Sequence, residues 1–150
     1  KRLVAMIEFE ERCRSLTASL GLCLPAEVHT IRRLTGGVAS DIAALSHGNQ
    51  TVCVKFALEK LNVHRYIAAA EFAWLQFAGR ITPEAVPLLY GWSEKENGFA
   101  MEYLDGPDIL PWKTSLLNGR PVEGMAAAVG DTLGRIHAAS TSAKFDRSHF

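Results

Sequence analysis

Thr51-Val52-Cys53-Val54-Lys55-Phe56 is an apolar run interrupted by a single lysine. Its β-branched and aromatic content predicts a strand, extended here over Gln50 to Ala57. Side chains alternate along a strand, so Val52, Val54 and Phe56 share one face and Cys53, Lys55 and Ala57 the other. An ammonium in a mostly buried strand is costly unless something anionic meets it. Alone, an edge-strand or snorkelling lysine would explain Lys55. The flanking sequence argues for a partner instead.

Upstream, Val28 to Leu34 reads as a strand, Thr35-Gly36-Gly37-Val38-Ala39-Ser40 as a turn of small residues, and Asp41 to Ser46 as a second strand. His47-Gly48-Asn49 is a hairpin signal, because Gly48 and Asn49 tolerate positive φ. Three strands joined by tight turns predict an antiparallel meander. Before them, Leu3, Met6, Ile7, Cys13, Leu16 and Leu20 recur at helical spacing and predict a helix over 2–20 that covers one side of the sheet, with Gly21 as its stop. Downstream, Val63 to Arg80 carries a broad apolar stripe of Tyr66, Ile67, Ala70, Trp74, Leu75 and Phe77. It predicts a helix capped by Asn62, with Gly79 near its end. Leu88 to Trp92 and Phe99 to Leu104 read as two more strands around a charged turn, Glu94 to Gly98. Asp105-Gly106-Pro107-Asp108 reads as a hinge-like linker. A short helix around Trp112, Leu116 and Leu117 follows, ended by Asn118-Gly119, and then a helix over Val122 to Ala139. The fold class expected is α+β: a five-stranded antiparallel sheet with a packed helix, followed by the first helices of a mostly helical second lobe.

The bulk composition bounds the function. The chain has 150 residues, 48% of them hydrophobic, and a formal net charge of zero. A neutral balance argues against nucleic acid or an anionic membrane surface as the main partner. No apolar run reaches the roughly 20 residues of a membrane helix. Glu8, Glu10 and Glu11 interrupt the first apolar stretch too early for a secretory signal. The cysteines, Cys13, Cys23 and Cys53, show no metal-ligand spacing, and their odd number fits reduced thiols of a cytoplasmic protein.

Four features stand in a fixed order: a glycine turn, a lysine in the third strand, a glutamate in the next helix, and a strand leading to a hinge. Gly36 and Gly37 let backbone N–H groups approach phosphate oxygens, and Ser40 adds a hydroxyl. Lys55 supplies a point charge for phosphate. Glu71 can hold that lysine extended toward a cleft. Read singly, Gly36-Gly37 is an ordinary hairpin turn and Glu71 a solvated helix carboxylate. Asp105 and Asp108 fit a linker turn or a helix cap as well as a ligand contact. His137 fits a helix-dipole contact better than catalysis. Glu94 and Glu96 read as turn solvation, and Trp74, Trp92 and Trp112 as packing.

In order and spacing these motifs resemble the nucleotide lobe of the aminoglycoside-phosphotransferase and choline-kinase-like branch of the protein-kinase fold. Leu34 to Asp41 is similar to that family's short phosphate loop, and Val52-Cys53-Val54-Lys55 to its lysine motif. Glu71 matches the helix glutamate, and Met101-Glu102-Tyr103-Leu104 resembles the gatekeeper and hinge. Leu133-Gly134-Arg135-Ile136-His137 is similar to the helix before the catalytic loop. The resemblance implies a nucleotide lobe over 1–104 and the start of a helical lobe over 105–150. It implies ATP or GTP with Mg2+ as cofactors, and a small hydroxylated substrate as acceptor of the phosphate. Gly36, Gly37, Ser40, Cys53, Lys55, Glu71, Met101, Glu102 and Leu104 would bind nucleotide, the Glu102 carbonyl and the Leu104 amide meeting adenine. Cys53 replaces the usual alanine against the adenine ring, so its thiol would face the nucleotide. The family's H-G-D-x-x-x-x-N stretch and later metal-binding Asp have no counterpart in the sequence, so no catalytic or metal residue is assigned within these 150 residues. By itself the chain is expected to bind nucleotide without transferring phosphate. A non-catalytic, pseudokinase-like module is the alternative, and a plain α+β domain with a structural Lys55–Glu71 pair a weaker one. Aminoglycoside, methylthioribose, choline, homoserine and macrolide all stay open as acceptors.

Overall fold

The structure is a computed structural model that describes residues 2–22, 27, 30–34, 40–57 and 64–142. The expected glycine turn with Gly36 and Gly37, the Asn62 cap and the tail after Ser142 lie outside the described residues. The elements run α1 (Arg2–Ser19), β1 (Thr30–Arg33), β2 (Ser40–His47), β3 (Gln50–Ala57), α2 (His64–Ile81), β4 (Leu89–Ser93), β5 (Gly98–Glu102), α3 (Trp112–Leu117) and α4 (Met125–Ser140), with a 3-10 turn at Pro83–Ala85.

The strands form one antiparallel sheet in the order β1-β2-β3-β5-β4, so β3 is central. Gly48 alone takes positive φ in the β2–β3 turn, at +56°, which suits a two-residue hairpin connection. β5 ends at Glu102, two residues before the end expected for it, so Tyr103 and Leu104 leave the ladder. α4 begins at Met125 rather than Val122, behind Gly124 in the left-handed region at φ +76°. A β-bulge between Leu89 and Gly91 interrupts the edge strand.

Each sheet face has its own helix. Val54 and Phe56 turn toward α1 and meet Phe9, Cys13 and Leu16 in a buried cluster with Ala43, Leu45 and Ala100. Full burial of a side chain such as Phe56 contributes about 1.5–3 kcal/mol. The Arg12 guanidinium lies 4.5 Å from the Phe56 ring centroid and donates to the Glu96 carbonyl. Arg33, paired with Asp41, covers the Phe9 ring at 4.5 Å. The helix expected over 2–20 therefore does cover the sheet, but with a different stripe. Leu3, Met6 and Ile7 are exposed, and Phe9 takes their place in the core.

The opposite face carries Ile42, Lys55, Phe99 and Trp92, which are direct cross-strand neighbours. α2 packs there through Phe72, whose ring centroid is 5.5 Å from that of Phe99 and 6.0 Å from that of Trp92. α4 reaches α2 through Arg135, which donates to the Ile81 carbonyl at 3.0 Å and to Glu84 at 2.9 Å. No helix among the described residues is long and apolar enough to cross a membrane.

Candidate functional site

Strand alternation sends Lys55 to the α2 side of the sheet, between Ile42 and Phe99 in register. Glu71 lies beside Phe72, the aromatic that seats α2 on Phe99. The two side chains meet: Lys55 Nζ donates to Glu71 Oε1 at 2.5 Å. Their side chains are 19% and 34% exposed, so the pair is partly shielded from water. This is the anion that a lysine in a buried strand requires. It holds the lysine at a defined place on the sheet, and among the described residues Glu71 is the one hydrogen-bond partner of its ammonium, which has three donors.

Ser40 opens β2 opposite Ala57 and lies on the Lys55 face. Cys53 pairs with Ala44 on one side and with Met101 on the other, so Cys53 and Met101 are immediate neighbours on that face. Cys53 is buried, and burial pushes its thiol up to about 11, with the Lys55 charge pulling weakly the other way. It is a neutral, apolar wall at neutral pH rather than a nucleophile. Glu102 is turned toward β4: its N–H donates to the Leu88 carbonyl at 2.7 Å, and its carboxylate accepts the Leu88 N–H at 3.1 Å. Leu104 is exposed, beyond the end of β5. The structure thus brings together Ser40, Cys53, Lys55, Glu71 and Met101 on one side of the sheet. Glu102, in register with Val52, closes β5, and Leu104 lies just beyond it.

Several sequence readings change. Asp105 and Asp108 do not cap α3, whose N-cap is Pro111; Asp105 instead accepts the Gly106 N–H. Glu94 and Glu96 are more than turn solvation. Glu94 accepts the Trp92 indole N–H at 3.0 Å, and Glu96 accepts the Ser15 hydroxyl at 2.6 Å, tying the β4–β5 turn to α1. Sequence reasoning missed Phe72 and Phe99, which fix the distance between Glu71 and Lys55. An aromatic directly after the helix glutamate was the available signal. It also missed Gly98, where a Cβ would lie 2.7 Å from the Lys55 carbonyl oxygen and 2.5 Å from the Phe56 ring. Only glycine lets β5 lie this close behind the lysine. Among the described residues no group of three or more His, Cys, Asp or Glu side chains could hold a metal ion.

No model of a known protein family matches the sequence, and no curated protein matches it. Fifteen chains of solved structures do match. One is a crystal structure from Thermobifida fusca YX-ER1, of a protein provisionally named a fructosamine-3-kinase. It is 20% identical, with a TM-score of 0.55, and the likeness covers 84% of this chain and 39% of that one. The chain therefore spans about two fifths of that neighbour's length. The five-stranded antiparallel sheet in this order with its flanking helices, and the match to that structure, give the chain the α+β architecture of the corresponding part of that fold.

Proposed function

We propose that this chain is the nucleotide-binding part of a small-molecule kinase, which moves the γ-phosphate of ATP or GTP to a substrate hydroxyl. The observation that carries the reading is the 2.5 Å contact between Lys55 on β3 and Glu71 on α2, on the face that also presents Cys53 and Met101. Phosphoryl transfer depends mostly on positioning and on neutralising phosphate charge. A lysine held by one carboxylate supplies a fixed charge for the non-transferred phosphates. Gly36, Gly37 and Ser40 would cover the phosphates, Cys53 and Met101 would wall the base, and the Glu102 and Leu104 backbone would meet its edge. Bound Mg2+ would supply charge neutralisation at the phosphates. We place the boundary between the nucleotide lobe and the helical lobe at the 104/105 linker.

The neighbour's name makes a fructosamine the first acceptor to test, beside aminoglycosides and the other hydroxylated metabolites named above. The full-length protein is incubated with ATP or GTP and each acceptor, and phosphorylated product is read by mass spectrometry. Lys55→Ala is expected to lower kcat/KM at least a hundredfold, in keeping with loss of a charged phosphate contact. Near-normal turnover in that variant would remove Lys55 from the mechanism. The second reading is a nucleotide-binding module without catalysis. Tight nucleotide binding with no turnover of any acceptor by the full-length protein selects it.

A further inference from the structure

A cavity of about 450 Å³ among the described residues does not touch Cys53, Lys55 or Glu71. It opens between the C-terminal half of α2, the segment before β4, and the end of β5. Its walls are apolar: Leu75, Val86, Pro87 and Leu89. Its polar groups are Gln76, Arg80 and Glu102. The volume lies in the range of small-molecule sites, and an apolar body with a few convergent polar groups is their usual make-up.

The cavity is built by the backbone. α2 presents Gly79 where the returning segment crosses it, and a Cβ there would stand 3.2 Å from a Val86 methyl. The polar groups are not equivalent. Glu102 already accepts the Leu88 N–H, so its carboxylate is fixed at the rim. Arg80 and Gln76 have no hydrogen bond or ion pair among the described residues. A cation in the last turn of α2 suits the helix dipole. Among the described residues no acceptor meets the guanidinium fork of Arg80, which is exposed to solvent at the mouth of the cavity.

We propose that this cavity is a second small-molecule site, for an amphipathic anion whose apolar body lies against Leu75, Val86 and Leu89 and whose carboxylate or similar group is held by Arg80. A forked donor matches a carboxylate in two-point fashion, and the Gln76 amide adds a third donor. The site does not depend on the nucleotide reading, because it shares with that site only Glu102, the last residue of β5.

The test uses 4-phenylbutyrate, a carboxylate on an apolar stem, titrated into the 15N-labelled protein. Expected are saturable amide shifts centred on Gly79, Leu89 and Glu102, with a Kd on the order of 1 mM for a ligand of this size. Arg80→Gln should weaken binding about tenfold. Gln76→Trp, an exposed helix position, should fill the cavity and abolish the shifts while the rest of the spectrum stays native. Saturating ATP should leave the affinity unchanged. Shifts that do not saturate by about 10 mM, affinity unaltered in both variants, or displacement by ATP would each overturn the proposal.

Discussion

A double-mutant cycle on Lys55 and Glu71 tests both the structure and the function built on it. At a separation near 2.5 Å, charges in an effective dielectric of about 20 attract by roughly 5–7 kcal/mol, and in water by about a quarter of that. Glu71 is one-third exposed and Lys55 one-fifth, so solvent screens much of this, and withdrawing the ammonium from water offsets more. A coupling of about 1–2 kcal/mol remains, above an exposed surface pair and below a fully buried one. Urea unfolding of the wild type, Lys55→Met, Glu71→Gln and the double variant measures it. A coupling under about 0.3 kcal/mol would mean that the pair does not form in solution. The same four proteins are then titrated with ATP. Lys55→Met should cost about 10- to 100-fold in affinity, the worth of a hydrogen bond to a charged group. Glu71→Gln should cost several-fold in the wild type and nothing in the Lys55→Met background, because Glu71 acts through the lysine. An equal loss from Glu71→Gln in both backgrounds would refute that division of roles.

Gly98→Ala should lower stability by about 1–3 kcal/mol, because the new Cβ meets the Lys55 carbonyl and the Phe56 ring; an unchanged urea midpoint would contradict the close approach of β5 to β3. Phe72→Ala should cost about 2–4 kcal/mol and also erase the Lys55–Glu71 coupling, since the ring seats α2 on Phe99. Cys53 should alkylate slowly at neutral pH even without nucleotide, its rate rising about tenfold per pH unit toward its pKa near 11; fast labelling at pH 7 would show that the sheet opens there. Burial lifts the Cys13 thiol from 9.0 to about 12 and that of Cys53 from 9.0 to about 11. The native state therefore keeps protons that the unfolded state sheds, so this contribution is whole below pH 9 and is lost as pH climbs through 11 to 12. Denaturant midpoints between pH 8 and pH 11 should fall, and fall less steeply in Cys13→Ala.

The central strand was legible because its signals agree: β-branched residues, alternation, and a hairpin turn with glycine in place. Gln50–Ala57 has the expected bounds for that reason. The Lys55–Glu71 meeting was legible only as a possibility of spacing, since sequence periodicity does not say which helix face turns to which sheet face. Phe72 decides that, and its contribution depends on Phe99 and Trp92, which lie far away in sequence. α1 failed differently. Its apolar residues are spread around the helix, so counting them at helical spacing found Cys13, Leu16 and Leu20 correctly but added Leu3, Met6 and Ile7, which are exposed, and passed over Phe9, which is buried. Arg12 and Arg33 complete that packing by lying over Phe56 and Phe9, an arrangement that no local pattern announces. The end of β5 was misplaced because Tyr103 and Leu104 have strand-like side chains but no neighbour to pair with. Tyr103 meets Arg32 through its hydroxyl instead.

α2 is the element on which these observations converge. Glu71 lies at its middle and Phe72 fastens that middle to β5. Its last turn is tied to α4, because Arg135 donates to the Ile81 carbonyl and to Glu84, whose carboxyl is held below its ordinary range first by a hydrogen bond from its own backbone N–H and then by the one from Arg135. The buried Thr82 hydroxyl donates back to the Ala78 carbonyl and closes the helix end. α2 is thus fastened at its middle to β5 and at its end to α4 by separate contacts. Arg135→Ala removes the lower fastening and leaves Phe72 in place. It should therefore leave the Lys55–Glu71 coupling intact in the stability cycle while loosening α4, seen as faster amide exchange at Ile136 and His137. Loss of the coupling in that variant would mean that the aromatic seat alone does not hold Glu71 over the lysine.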